Sequence, residues 1–195
     1  LLKPGRIFES CVADIAGPYR VKINPRSKTI NEMFYLVIVD VALRLVHVEY
    51  VLSQRAIDII SALERFGSRY CCFPSRIYSD RGQSLRLCAN FLETAYKNFE
   101  GSLFQRFLSN KGCRWMMGPS YSHHYYSGVE SFVKLVKTLF DAQIFREKAL
   151  SFDSFVTLAA KISYIVNSRP YLSVRNTFDM SKDVSFHGLY VTPGH

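Results

Sequence analysis

The chain has 195 residues, 48% hydrophobic and 21% charged, a balance that argues against a disordered tail and suits one domain with its own core. It carries 25 lysines and arginines against 16 acids, a formal charge of +9, and this excess points to a polyanionic partner, nucleic acid before an anionic membrane surface. No apolar run approaches the roughly 18 residues of a membrane span, so no membrane insertion is expected.

The opening Leu1-Leu2-Lys3-Pro4 lacks a methionine and a signal-peptide pattern, so the expectation is a non-secreted piece of a longer chain. Cys11, Cys71, Cys72, Cys88 and Cys113 form no Cys-x-x-Cys pair, which suits reduced thiols. His123-His124 has no cysteine at finger spacing, so a structural zinc is not expected.

In chain order, residues 7–16 read as a strand that places Asp14 among Val12, Ala13, Ile15 and Ala16, with Gly17-Pro18 ending the run. Residues 33–40, Met-Phe-Tyr-Leu-Val-Ile-Val-Asp, read as a central strand buried on both faces. Residues 45–50 alternate as a strand with one wetter face and pair with it as an antiparallel hairpin. The period then changes: Ala56, Ile59, Ile60, Leu63 and Phe66 mark one helical face, with Ser53 as its cap.

Residues 75–80 read as a short strand ending in the turn Asp80-Arg81-Gly82, and 90–110 as a helix interrupted at Gly101. Residues 113–117 read as a strand, 120–128 as a polar aromatic loop, and 128–147 and 151–168 as helices, the second stopped by Pro170. The last 25 residues show no clear period. Three strands in a meander, then strands alternating with helices, predict an α/β fold with a five-stranded mixed sheet, three strands antiparallel and two further ones parallel, covered on both faces. Residues 1–170 form the predicted core and 171–195 a C-terminal extension.

A charge inside such a sheet needs a reason, because an unpaired carboxylate in apolar surroundings is costly. Two further acids stand at suggestive places. Asp80 lies where a strand ends, and sites in open α/β sheets gather at the carboxyl ends of strands. Glu130 opens a helix face shared with Lys134, Lys137 and Asp141. Spacing alone also admits an ordinary solvated face, with Glu130 favoured near the helix start by the dipole. Asp40, at a strand end, and Glu49, in the hairpin, read as structural, as does Arg169, placed to meet last-turn carbonyls.

Read with their neighbours, the acids fall into ordered words: Asp14 with Ala16-Gly17-Pro18, Ser79-Asp80-Arg81-Gly82, Glu130 with Val133-Lys134 and Lys137, and Asn167-Ser168-Arg169-Pro170. The set resembles the integrase catalytic core of retroviruses and LTR retrotransposons, with its fullest likeness to BEL/Pao-type elements. The resemblance runs over nearly the whole chain, including the hairpin Val-Ala-Leu-Arg-Leu-Val-His-Val-Glu-Tyr and the terminal Val-Thr-Pro-Gly-His.

The resemblance implies an RNase H-like fold and a DDE-type polynucleotidyl transferase, with Asp14, Asp80 and Glu130 as catalytic acids holding two Mg²⁺ or Mn²⁺ ions. It implies 3′-end processing of element DNA and its strand transfer into target DNA, by an oligomer, in the nucleus or a cytoplasmic virus-like particle. Lys134 and Lys137 would meet phosphates, and His124 and Tyr125 would stack on or position a DNA end. Three acids suit this chemistry, because two hard cations need oxygen ligands and relieve the repulsion between neighbouring carboxylates.

The chain departs from the family after Asp80, where Arg81-Gly82-Gln83-Ser84-Leu85 replaces Asn-Gly-Thr-Asn-Phe, and before Glu130, where Tyr125-Tyr126-Ser127-Gly128-Val129 lacks one glycine and the tryptophan. A decayed or domesticated DNA-binding module on the same fold is therefore one alternative, and a hydrolytic RNase H-like nuclease another.

Overall fold

A computed structural model of the chain describes residues 6–24, 26, 28–79, 99–117, 123–144, 149–176 and 179–185. The elements are β1 (Ser10–Lys22), β2 (Asn31–Asp40), β3 (Val46–Val51), α1 (Ala56–Tyr70), β4 (Arg76–Ser79), α2 (Phe99–Asn110), β5 (Arg114–Met117), α3 (His123–Ile144), β6 (Leu150–Ser151), α4 (Phe152–Asn167), β7 (Pro170–Asn176) and β8 (Asp179–Ser185). The main sheet runs β3-β2-β1-β4-β5, with β6 added beside β1. The β1–β2 and β2–β3 pairs are antiparallel, and β1–β4, β4–β5 and β1–β6 are parallel. This is the mixed sheet the sequence predicts, enlarged by one two-residue strand.

Alternation along the strands divides the core into two layers. Cys11, Ala13 and Ile15 of β1 and Leu36 and Ile38 of β2 pack against α1 and α2. Ala16, Tyr35, Val37, Val39, Val46 and Val48 pack against α3 and α4. Ala56, Ile59, Ile60, Leu63 and Phe66 of α1, repeating at steps of three and four, are buried against the first layer, whereas Ile57 is exposed. In the second layer Tyr35 is sandwiched between Phe140 and Phe155, with ring centroids 4.0 Å away on each side, and its hydroxyl donates to the Phe155 carbonyl at 2.8 Å. Burial pushes the Tyr35 phenol far above its ordinary value.

Gly17-Pro18 does not end β1. Between Ala16 and Tyr19 the β1–β2 register takes one extra residue on β1, a bulge containing a cis Gly17-Pro18 bond. The extra residue inverts the alternation, so Tyr19 and Val21 face α3 and α4 although Ile15 faces α1. Gly17 sits at φ +130°, and a Cβ there would lie 3.0 Å from the Met33 carbonyl oxygen and the Phe34 ring. Only glycine meets both conditions without strain.

β3 is an edge strand, and side chains cover its outward backbone groups. The Asn167 amide donates to the Val46 carbonyl at 2.7 Å and accepts from its N–H at 2.9 Å. Ser163 Oγ accepts from Val48 N–H at 3.0 Å, and Arg65 donates to the Tyr50 carbonyl at 2.6 Å. Arg169 donates to the Val166 carbonyl at 2.6 Å and the Arg44 carbonyl at 2.7 Å while lying 3.7 Å over the Phe132 ring. The Asn167-Ser168-Arg169-Pro170 word is thus a clasp between the end of α4 and β3, and the structural reading of Arg169 holds.

Four other expectations need correction. Ser53 does not cap α1: Arg55 occupies the cap position with no side-chain bond, and Ser53 instead accepts from Arg55 N–H at 3.2 Å and bonds Asp58. α2 runs unbroken across Gly101, since one glycine costs a helix only about 1 kcal/mol. α3 begins at His123, so much of the predicted 120–128 loop is helix. Residues 170–176 and 179–185 form the antiparallel β7–β8 pair, where the sequence shows no clear period.

Candidate active site

Asp14 lies on β1, the middle strand of the sheet, opposite Val37 of β2. It points to the α3 side, because its neighbours Ala13 and Ile15 fill the α1 layer. On its other edge β1 pairs with β4 only at Ser10–Val12 and with β6 only at Val21–Lys22. Between those segments Asp14 faces no strand on that edge among the described residues, which explains why its side chain keeps 17% exposure.

One Asp14 oxygen, Oδ1, accepts the Ile15 N–H at 2.8 Å. The other, Oδ2, lies 2.5 Å from the Lys137 Nζ of α3. The sequence placed Lys137 on the Glu130 face of a helix and assigned it to DNA phosphate. The structure pairs it with Asp14, a tertiary contact that spacing within one helix cannot reveal.

Glu130 is exposed on α3, two turns before Lys137 and so about 10 Å along the axis. Lys134, between them, is exposed. Asp141, the last member of the predicted face, hydrogen-bonds Tyr19, and burial together with that carboxylate pushes the Tyr19 phenol far up. His124 and Tyr125 belong to the first turn of α3 rather than a loop, and their side chains lie outside the described residues. Asp80 also lies outside the described residues. It follows Ser79, the last residue of β4, whose hydroxyl accepts from the Trp115 indole N–H at 2.9 Å. Among the described residues no three His, Cys, Asp or Glu side chains gather as a metal site.

The structural readings of Asp40 and Glu49 agree with their surroundings. Asp40 accepts the N–H groups of Phe8 at 2.5 Å and of Ala42 and Leu43 at 2.7 Å. Glu49 accepts from Arg65 at 3.1 Å and meets His47 at 3.3 Å, and Tyr70 reaches the other His47 nitrogen at 3.3 Å. Burial opposes the charge on Glu49, yet His47 and Arg65 hold its carboxyl below the ordinary range. Burial pushes His47 below its ordinary value, only partly offset by Glu49. The sequence reading did not foresee this group, although Arg65 lies two positions after Leu63 on the predicted helix.

No family model and no curated protein matches the sequence. Solved structures do. The chain is similar to a simian T-cell lymphotropic virus intasome, solved with PP2A regulatory subunit B56 gamma, at TM-score 0.57 and 18% identity over 96% of this chain. It spans 55% of that protein's chain. It is also similar to the HTLV-2 integrase catalytic core domain in complex with magnesium. The dimeric form matches at TM-score 0.51 and 17% identity, over 83% of this chain and 87% of that one. The trimeric form matches at TM-score 0.51 and 17% identity, over 88% and 90%. The fold is therefore that of a retroviral integrase catalytic core, an RNase H-like mixed sheet with helices on both faces. No helix among the described residues is long and apolar enough to cross a membrane.

Proposed function

We propose that the chain is the catalytic core of a retroelement integrase, a metal-dependent polynucleotidyl transferase that processes 3′ DNA ends and joins them to target DNA. Its motif words favour a BEL/Pao-type element. The observation that carries this reading is Asp14, a mostly buried carboxylate at the middle of the sheet paired with a side-chain cation. A carboxylate that already holds one cation at 2.5 Å offers the hard oxygen donors that a divalent ion takes.

The strand register supports adding Asp80. Asp80 follows β4 in the chain, the strand that pairs with β1, Ile77 with Cys11 and Tyr78 with Val12. Glu130 would approach from α3. When bound, two Mg²⁺ or Mn²⁺ ions supply charge stabilisation for the attacking and leaving oxygens of in-line phosphoryl transfer. The chain's own part is to hold its three acids toward one place, with Asp14 fixed by the sheet and the Ile15 N–H. Lys134, exposed one turn beyond Glu130, would meet a DNA phosphate without reading sequence. His124 and Tyr125 would act at the start of α3 on a DNA end. The HTLV-2 cores of similar fold are described as dimeric and trimeric, which supports an oligomer here. Residues 1–170 would form the catalytic core, and the β7–β8 hairpin would belong to an extension. A nuclear or virus-like-particle setting follows from the same reading.

A strand-transfer assay with Mg²⁺ or Mn²⁺ tests it, comparing the wild type with Asp14→Asn, Asp80→Asn and Glu130→Gln. Joined product that disappears in all three variants supports the assignment, and equal product from the wild type and Asp80→Asn refutes it. Cut DNA without joining identifies a hydrolytic nuclease. DNA binding without any product identifies a binding module on the same fold.

A further inference from the structure

Lys137 is an unusual partner for Asp14. The sheet face around Asp14 carries Val12, Ala16 and Val37, so a bare carboxylate there would lack compensation. Lys137 supplies one positive charge at 2.5 Å, and its side chain is 31% exposed. An ammonium on a four-carbon stem is a mobile point charge, unlike a guanidinium fixed by its planar fork. The contrast lies in the same molecule. Arg65 is held at once by Glu49, the Tyr50 carbonyl and the Tyr50 ring 4.0 Å away, whereas Asp14 is the only ion-pair partner of Lys137 among the described residues.

We infer that Lys137 is a resident counter-ion of Asp14, which a divalent cation must displace to bind. This rests on the reading of Asp14 as a metal ligand. A divalent ion and the ammonium cannot both occupy the Oδ2 position at 2.5 Å. The lysine therefore weakens divalent binding in the resting protein, balances the Asp14 charge without metal, and would be free to meet a phosphate once displaced.

Calorimetric titration of Mn²⁺ into the chain tests this, with Lys137→Met, Lys137→Gln, Lys137→Arg and Asp14→Asn compared. The Met and Gln variants should bind Mn²⁺ about three- to tenfold more tightly, the range expected when a partly exposed ion pair no longer competes. Lys137→Arg, which keeps the charge on a planar fork, should bind Mn²⁺ no more tightly than the wild type. Thermal melts give a second readout. In EDTA Lys137→Met should melt below the wild type, and Mg²⁺ should raise its Tm by more. Equal or weaker Mn²⁺ binding in Lys137→Met and Lys137→Gln, with binding lost in Asp14→Asn, overturns the role of Lys137 and leaves the site standing. No saturable binding in the wild type, or binding indifferent to Asp14→Asn, overturns both.

Discussion

Two carboxylates stand on strands of one sheet, either side of β2, and are treated in opposite ways. Glu49 on β3 faces α1, is 7% exposed, and is enclosed by His47 and by an Arg65 that is itself tied to the backbone. Asp14 on β1 faces α3, keeps more contact with solvent, and leans on the tip of one lysine. A structural acid is surrounded by donors that cannot leave. Asp14, the acid proposed to take a metal, has a partner that can. The same polar residue type on a strand thus carries different meanings, set by how rigidly its compensation is built.

Substitutions sharpen this contrast. Asp14→Asn should reduce strand transfer by roughly three orders of magnitude, the scale on which removing a group that acts in unison with others usually shows. Its stability in EDTA should stay within about 1 kcal/mol of wild type, because Lys137 can turn to solvent. Glu49→Ala should do the reverse, costing about 3 kcal/mol in denaturant unfolding by stranding Arg65 and His47, with activity retained where the protein stays folded. If Asp14→Asn instead unfolds the protein and Glu49→Ala silences it, the roles are exchanged. Asn167→Ala comes next, at about 2 kcal/mol, since it leaves the Val46 N–H and carbonyl unpaired at a buried edge.

Acid should act on the Glu49 side. Folding holds His47 below its ordinary value near 6.5, so the unfolded chain takes up the proton first. Stability is full above that value and falls as pH drops through it. Glu49, held low in the folded state, adds a further loss below the ordinary carboxylate range. Melts between pH 7.5 and 5 should show Tm declining in the wild type and declining less in His47→Gln.

The sequence carried the succession of strands and helices, the apolar stripe of α1 and the acid-bearing words, because these live in local periodicity and ordered motifs. It could not show that Gly17-Pro18 makes a bulge rather than an end, since the extra residue is recognised only against the β2 register. The early start of α3 was hidden by the tyrosines and histidines of residues 121–126, which read as loop by composition. Lys137 was legible as a cation beside an acid on one helix, but the acid it pairs with in the fold lies on a strand more than a hundred residues earlier. Asn167 and Arg169 were legible as a word, while their work as an edge cover emerged only from the packing of α4 on β3.

The most direct measurement is the anomalous scattering of a crystal of the protein soaked in Mn²⁺. The account predicts a peak within about 2.0–2.5 Å of an Asp14 oxygen, with the Lys137 ammonium moved away from it. A crystal saturated with Mn²⁺ that shows no peak there, with Lys137 still seated on Asp14, would contradict it.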